Sequence, residues 1–159
     1  MTVQSKETIR LVRTPADTRG HMPKDGPLKH GRITEIIIRC FYRVYDRMGW
    51  GFNESVYWEA LAIELSAAGL SFIREAPVEA WYEGRPVKKF RCDFFVEGKV
   101  IVEVKATEFL TQKDRSQLMN YLACSYIEVG LLLHFGPRAR FERTVHSNPR
   151  KSNLPKSDH

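Results

Sequence analysis

Apolar side chains recur three and four residues apart over Ile33, Ile36, Ile37, Cys40, Phe41, Val44, Tyr45 and Met48, the spacing of one face of an α-helix. Gly49 follows and supplies the stop. A second helix is predicted at once, with Asn53 as N-cap, Tyr57, Ala60, Leu61, Leu65 and Ala68 as its stripe, and Gly69 at its C′ position. The pattern then changes period. Three β segments are predicted, Ser71 to Tyr82, Lys88 to Val96 and Lys99 to Ala106, separated by the turn residues Glu83-Gly84-Arg85-Pro86 and Glu97-Gly98. Leu118, Tyr121, Leu122, Ser125, Tyr126 and Val129 return to helical spacing, closed by Gly130, and the short apolar run Leu131 to Phe135 predicts a buried strand. The order α-α-β-β-β-α-β predicts an α/β domain, a small mixed sheet flanked by helices.

The ends of the chain carry no such pattern. Residues 1–30 mix Pro15, Gly20, Pro23, Gly26 and Pro27 with charges and are expected to form a mobile leader, and residues 147–159 are expected to form a disordered tail. One domain over 31–146 is left, in keeping with a length of 159 residues. The net charge of +6 sits at the ends: residues 1–30 hold six Lys/Arg against three Asp/Glu, residues 137–159 six against two, and the middle thirteen against fourteen. Basic ends suit a polyanion without requiring one. Cys40, Cys92 and Cys124 are far apart and odd in number, so they are expected as buried thiols rather than disulfides or zinc ligands. The apolar stretch from Val129 to Phe135 is far too short to span a bilayer, which needs about 20 residues. The first residues lack the apolar core of a secretory signal, so a cytoplasmic protein with no membrane partner is expected.

Candidate chemistry is concentrated where charges interrupt strands that are otherwise apolar on both faces. Asp93 lies within Phe90-Arg91-Cys92-Asp93-Phe94-Phe95-Val96, and Glu103 and Lys105 lie within Val100-Ile101-Val102-Glu103-Val104-Lys105. An unpaired buried charge costs several kcal/mol, so something must compensate each of them. If Glu97, Gly98 and Lys99 form a three-residue loop, Val96 faces Val100 and Asp93 falls opposite Glu103, with Cβ atoms about 5 Å apart. Lys105 then shares the face of Glu103, because side chains alternate with period two. A two-residue loop would put the carboxylates on opposite faces. Two carboxylates held so close repel unless a cation sits between them, and hard oxygen ligands suit Mg²⁺ or Mn²⁺. A neighbouring lysine can orient a bound water or stabilise charge on a phosphate. On spacing alone, a structural ion pair between Lys105 and one of the acids is the competing account.

At these residues the chain resembles the PD-(D/E)XK nuclease superfamily. Asp93 followed by Glu103-Val104-Lys105 on the next strand has the superfamily's Asp and Glu-x-Lys pattern. Gly51-Phe52-Asn53-Glu54-Ser55-Val56-Tyr57 resembles the signature of its GxxExxY branch, and Gln117-Leu118-Met119-Asn120-Tyr121 resembles the Gln-x-x-x-Tyr helix of RecB-like nucleases. The resemblance runs over roughly residues 33–136. The branch usually has His where this chain has Tyr45, Pro where it has Trp50 and His where it has Asp114.

What the resemblance implies is a metal-dependent nuclease acting on nucleic acid, with DNA as the expected partner. Asp93 and Glu103 would be metal ligands, Lys105 the catalytic lysine and Glu54 a further catalytic acid near the metal. Gln117, Tyr121, Tyr57 and Arg91 would support the site or touch the nucleic-acid backbone. The residues themselves allow plainer roles. Glu54 suits a helix N-terminus, Tyr57 lies on an apolar stripe, and Gln117 and Tyr121 are a helical i, i+4 pair. His134 is expected as a hydrogen-bonded core residue, Glu75 as a further candidate acid, and Lys88 and Lys89 as a solvated strand edge. The competing function is a catalytically inactive nucleic-acid-binding or protein-interaction module on the same fold.

Overall fold

Helices α1 (Gly31–Met48) and α2 (Glu54–Ala67) form where the helical spacing predicts them. Gly49 ends α1 with φ of 67°, and its N–H donates to the Tyr45 carbonyl. Past Ala68, the last residue of the α2 turn, Gly69 adopts φ of 77° and the N–H of Leu70 reaches back to the Leu65 carbonyl, closing the helix with a left-handed residue. Asn53 has N-cap backbone angles but makes no side-chain capping bond. The computed structural model describes residues 28–147; the leader expected over 1–27 and the tail over 148–159 lie outside them. Leu28 to His30, inside the expected leader, already join the body, since Lys29 Nζ lies 2.7 Å from Glu128 and the Arg143 guanidinium donates to the Lys29 carbonyl.

The rest of the chain runs β1 (Phe72–Tyr82), β2 (Arg85–Val96), β3 (Val100–Lys105), α3 (Gln112–Ala123), β4 (Val129–Phe135) and β5 (Ala139–Val145). The five strands lie in that order in one sheet. Neighbouring pairs are antiparallel except β3 and β4, which are parallel and joined through α3. Helices α1 and α2 cover one face, packing on Val102, Val104, Leu131, Leu133 and Phe135, and α3 covers the other over Phe95, Ile101 and Leu132. The mixed α/β fold expected from the sequence is therefore present, with one strand more than the pattern had shown.

That strand, β5, escaped the reading because its alternation of Ala139, Phe141 and Val145 is broken by Arg143 and flanked by charges. Glu142 and Arg143 are both buried, the first in an ion pair with Arg115. Two boundaries also move. The turn between β1 and β2 shrinks to Glu83-Gly84, with φ of 49° and 74°, as a two-residue type I′ hairpin requires. Arg85 and Pro86 belong to β2, and Pro86 sits beside a register shift where the ladder tolerates its missing N–H. Gly130 is not a helix stop; α3 already ends at Ala123, and Gly130 lies inside β4. A Cβ at Gly130 would stand 2.7 Å from Leu118 Cδ1 and 3.1 Å from its Cγ. Because Leu118 is buried and cannot swing aside, Gly130→Ala is expected to cost about 2 kcal/mol by overpacking, read as a lowered urea midpoint. Of the cysteines, Cys40 and Cys92 are buried as expected and Cys124 is half-exposed.

The β1–β2 hairpin changes face part-way along. Phe94 and Val96 pack toward α1 and α2, as does Phe72, and Arg74 bonds Glu59 of α2. Beyond the next rung, Cys92 and Phe90, with Ala76 and Val78 opposite, pack toward α3. Even-numbered residues thus point to opposite sides before and after the Glu75–Asp93 position. The ladder skips that rung, and Glu75 takes φ of 49° there. Such a conformation is uncommon for a residue with a side chain.

Candidate active site

Val96 pairs with Val100, Phe95 with Ile101 and Phe94 with Val102. This is the register of the three-residue connection; the Lys99 N–H closes onto the Val96 carbonyl, and Glu97 and Gly98 both have positive φ. One rung further, Asp93 and Glu103 face each other, and there side chains replace the ladder. Glu103 Oε1 accepts the Asp93 N–H at 3.2 Å, and Asp93 Oδ2 accepts the Val104 N–H at 2.7 Å. The two carboxyls are thus held side by side, each accepting a backbone N–H of the other strand. Burial, then the neighbouring Asp93 charge, pushes Glu103 up to about 9. Asp93 is raised chiefly by burial, with the Val104 N–H and Lys105 pulling it back, while Glu75 adds to the rise.

Lys105 points from the end of β3 toward α3. Its Nζ lies 3.4 Å from Gln117 Oε1 and 3.9 Å from Asp114 Oδ1. The expected alternative, a direct ion pair with Asp93 or Glu103, is not what the lysine forms; its close carboxylate partner is Asp114. Gln117 in turn donates to the Tyr121 hydroxyl at 2.8 Å, and that hydroxyl donates to the Arg91 carbonyl at 3.3 Å. A chain of polar contacts therefore runs from Lys105 through α3 to β2.

Glu54 occupies the first turn of α2 and is held above the usual carboxylate range, chiefly by burial and then by the Asp93 charge, with Lys105 opposing. It is near enough for its charge to be felt at the pair. Among the described residues, however, no three His, Cys, Asp or Glu side chains gather into one metal-holding group. Tyr57 is fully buried, stacks on Phe135 with centroids 4.1 Å apart and donates to the Gly49 carbonyl at 2.8 Å. It fixes the segment that leads into Glu54. Arg91 is exposed on the hairpin, as are Lys88 and Lys89. His134 is buried, with Nε2 2.6 Å from the Thr107 carbonyl.

The sequence marked Asp114 only as a departure from the branch, where His is usual, and gave it no role at the site. Its carboxylate accepts the Thr111 N–H at 2.9 Å while Thr111 Oγ1 accepts the Asp114 N–H, a capping box that starts α3 beside Lys105. The signal was present as Thr111-x-x-Asp114, a Ser/Thr-x-x-acid spacing.

The donor set suits a hard divalent cation. Burial and the Asp93 charge raise the proton affinity of Glu103, and a cation at that position would offset the repulsion between the two carboxylates. Mg²⁺ keeps several waters and needs few protein oxygens, so a pair of carboxylates fits it.

A family model described as the PD-(D/E)XK nuclease superfamily matches residues 31–145. The chain belongs to that superfamily, whose nucleases generally use divalent metals and whose membership suggests a nucleic-acid partner. No curated protein matches the chain. Among solved structures it is similar to the one titled "Crystal structure of SSO0001", at 15% identity and a TM-score of 0.38 over 84% of this chain and 76% of that one. No helix among the described residues is long and apolar enough to cross a membrane.

Proposed function

We propose that this protein is a metal-dependent nuclease of the GxxExxY branch, hydrolysing phosphodiester bonds, with DNA as substrate. The observation that carries the reading is the pairing of half-buried Asp93 with buried Glu103 beside Lys105. In this reading Asp93 and Glu103 hold one Mg²⁺ or Mn²⁺. When bound, the ion supplies Lewis-acid stabilisation of phosphate charge and a more acidic water.

The protein's own groups do the rest. Lys105, steered by Gln117 and Asp114, places a positive charge where negative charge grows on the phosphate. Glu54, with its proton affinity raised by burial, orients water or holds a proton next to the pair. Tyr121 keeps Gln117 in place, Tyr57 holds the entry to α2, and Arg91 lies at the mouth as a phosphate contact.

The test is cleavage of labelled single- and double-stranded DNA and RNA, with Mg²⁺ or with a chelator. Mg²⁺-dependent cleavage lost in Lys105→Met supports the reading. Binding of nucleic acid with no cleavage under any metal would replace it with the inactive binding module.

A further inference from the structure

Parallel pairing sets Lys105 of β3 beside His134 of β4, and antiparallel pairing sets His134 beside Arg140 of β5. Lateral neighbours in a sheet share a face, so the row Lys105–His134–Arg140 crosses three strands on the α3 side. With strands 4.7–4.9 Å apart, Arg140 lies about 10 Å from Lys105 along this row. The row ends in a cleft of about 390 Å³ between the segment that follows β3 and the turn between β4 and β5. Phe109, 73% exposed, lines it from the segment after β3, and Arg138 and Arg140 line it from the turn after β4 and the start of β5. Arg115 and Glu142 also line it, with Arg115 Nε 2.9 Å from both carboxylate oxygens, so that Glu142 is neutralised. Glu108 is the remaining acid on the lining, against two arginines. His134 forms part of the cleft with Nε2 committed to Thr107 and Nδ1 without a partner.

An exposed aromatic ring and two arginines lining one cleft of this size match a base and its phosphate. Stacking on an aromatic side chain requires a base freed from its partner, as in a single strand. We propose that this cleft seats an unpaired nucleotide of the strand being cut, a near neighbour of the bond beside Lys105. Phe109 stacks on its base and Arg138 and Arg140 hold its phosphate. The proposal rests on the nuclease reading and adds to it a preference for single-stranded sequence next to the cleaved bond.

The experiment is fluorescence anisotropy of the full chain with a short labelled single-stranded DNA, in chelator, between about 50 and 200 mM salt. Arg138→Ala/Arg140→Ala is expected to weaken binding about tenfold at the lower salt. It should also flatten the slope of log K against log salt by about 0.7, one phosphate contact on a single strand. Phe109→Ala is expected to weaken binding by roughly fivefold to a hundredfold with the slope unchanged. All three side chains are exposed, so the variants should melt as the wild type does. Wild-type affinity in Phe109→Ala overturns the base seat, and an unchanged salt slope in the arginine variant overturns the phosphate contact. A wild type that binds single strands no better than blunt duplex, whether DNA or RNA, overturns the proposal as well. The nuclease reading is judged separately, by the Mg²⁺ response of the Asp93–Glu103 pair.

Discussion

Asp93→Asn is expected to raise the melting temperature of the metal-free protein while abolishing its response to Mg²⁺. The asparagine carbonyl can still accept the Val104 N–H, and its amide can donate to Glu103, so the contact geometry survives and the like-charge repulsion does not. A gain of about 1 kcal/mol would appear as a few degrees in Tm. In the wild type, Mg²⁺ at a hundred times its Kd should add about 2.7 kcal/mol. Lys105→Met should keep much of that metal response, because the lysine is not a ligand in the proposed site. Were the three residues a structural ion network instead, removing a member would strand a buried charge and cost roughly 3 kcal/mol, with no metal response to lose. Melts of the three proteins with and without Mg²⁺ decide between these outcomes.

The same pair gives a pH signature with a definite sign. Glu103 binds its proton more tightly in the fold than in the unfolded chain, its value being raised from 4.5 to about 9. Its stabilising contribution is therefore present in full below the ordinary carboxylate value and is lost as pH rises toward 9. Metal-free wild type should fall in stability relative to Glu103→Gln between pH 5.5 and 8, by at most about 1.4 kcal/mol per pH unit for one proton. The stabilisation by Mg²⁺ should grow over the same interval, since ligands must lose their protons to bind it. Parallel melts across that range, giving flat differences, would refute the raised proton affinity of Glu103.

Phe135→Ala is expected to be the most destabilising single change, at about 3–5 kcal/mol. Phe135 is fully buried at the end of β4, stacked on Tyr57 and edge-on to Phe41 at 4.7 Å. The truncation leaves a cavity against both helices and unseats Tyr57, whose hydroxyl holds the Gly49 carbonyl ahead of Glu54. Chemical denaturation should therefore show a large drop in midpoint, and any cleavage activity should fall with it.

The helices were legible because each buries a stripe at helical spacing, with real ends at Gly49 and Gly69, and the first four strands because each is a β-rich or apolar run bounded by turn residues or helices. The facing of Asp93 and Glu103 was legible too, since it follows from loop length and the two-residue alternation alone. β5 was not, because its inward positions include Glu142 and Arg143, charges whose burial depends on Arg115 and Lys29, distant in sequence. Gly130 misled for a related reason: its missing side chain makes room for Leu118, a tertiary demand that looks locally like a helix stop. The partner of Lys105 was missed because an acid in a capping box is fully explained by the helix it starts. The change of face at Glu75 and Asp93 left no mark in the composition of either strand.

That change of face also sorts the hairpin and its neighbours by tolerance to insertion and deletion. Outward of Glu75 and Asp93, the end of the hairpin over residues 82–89 is exposed. Removing matched residues from β1 and β2 there, two rungs at a time with the Glu83-Gly84 turn kept, shortens the arm and leaves every side chain nearer the body on its original face. Inward, residues 100–102 of β3 have no such freedom. Losing one would draw Glu103 back by a single position, so that Val104 would stand where Glu103 does now and the carboxylate would turn into the apolar layer under α1 and α2. Within one meander, then, the outer arm is free to vary in length across an evolving lineage, while a single codon lost from β3 ahead of Glu103 would trade the proposed site for a charge buried in oil.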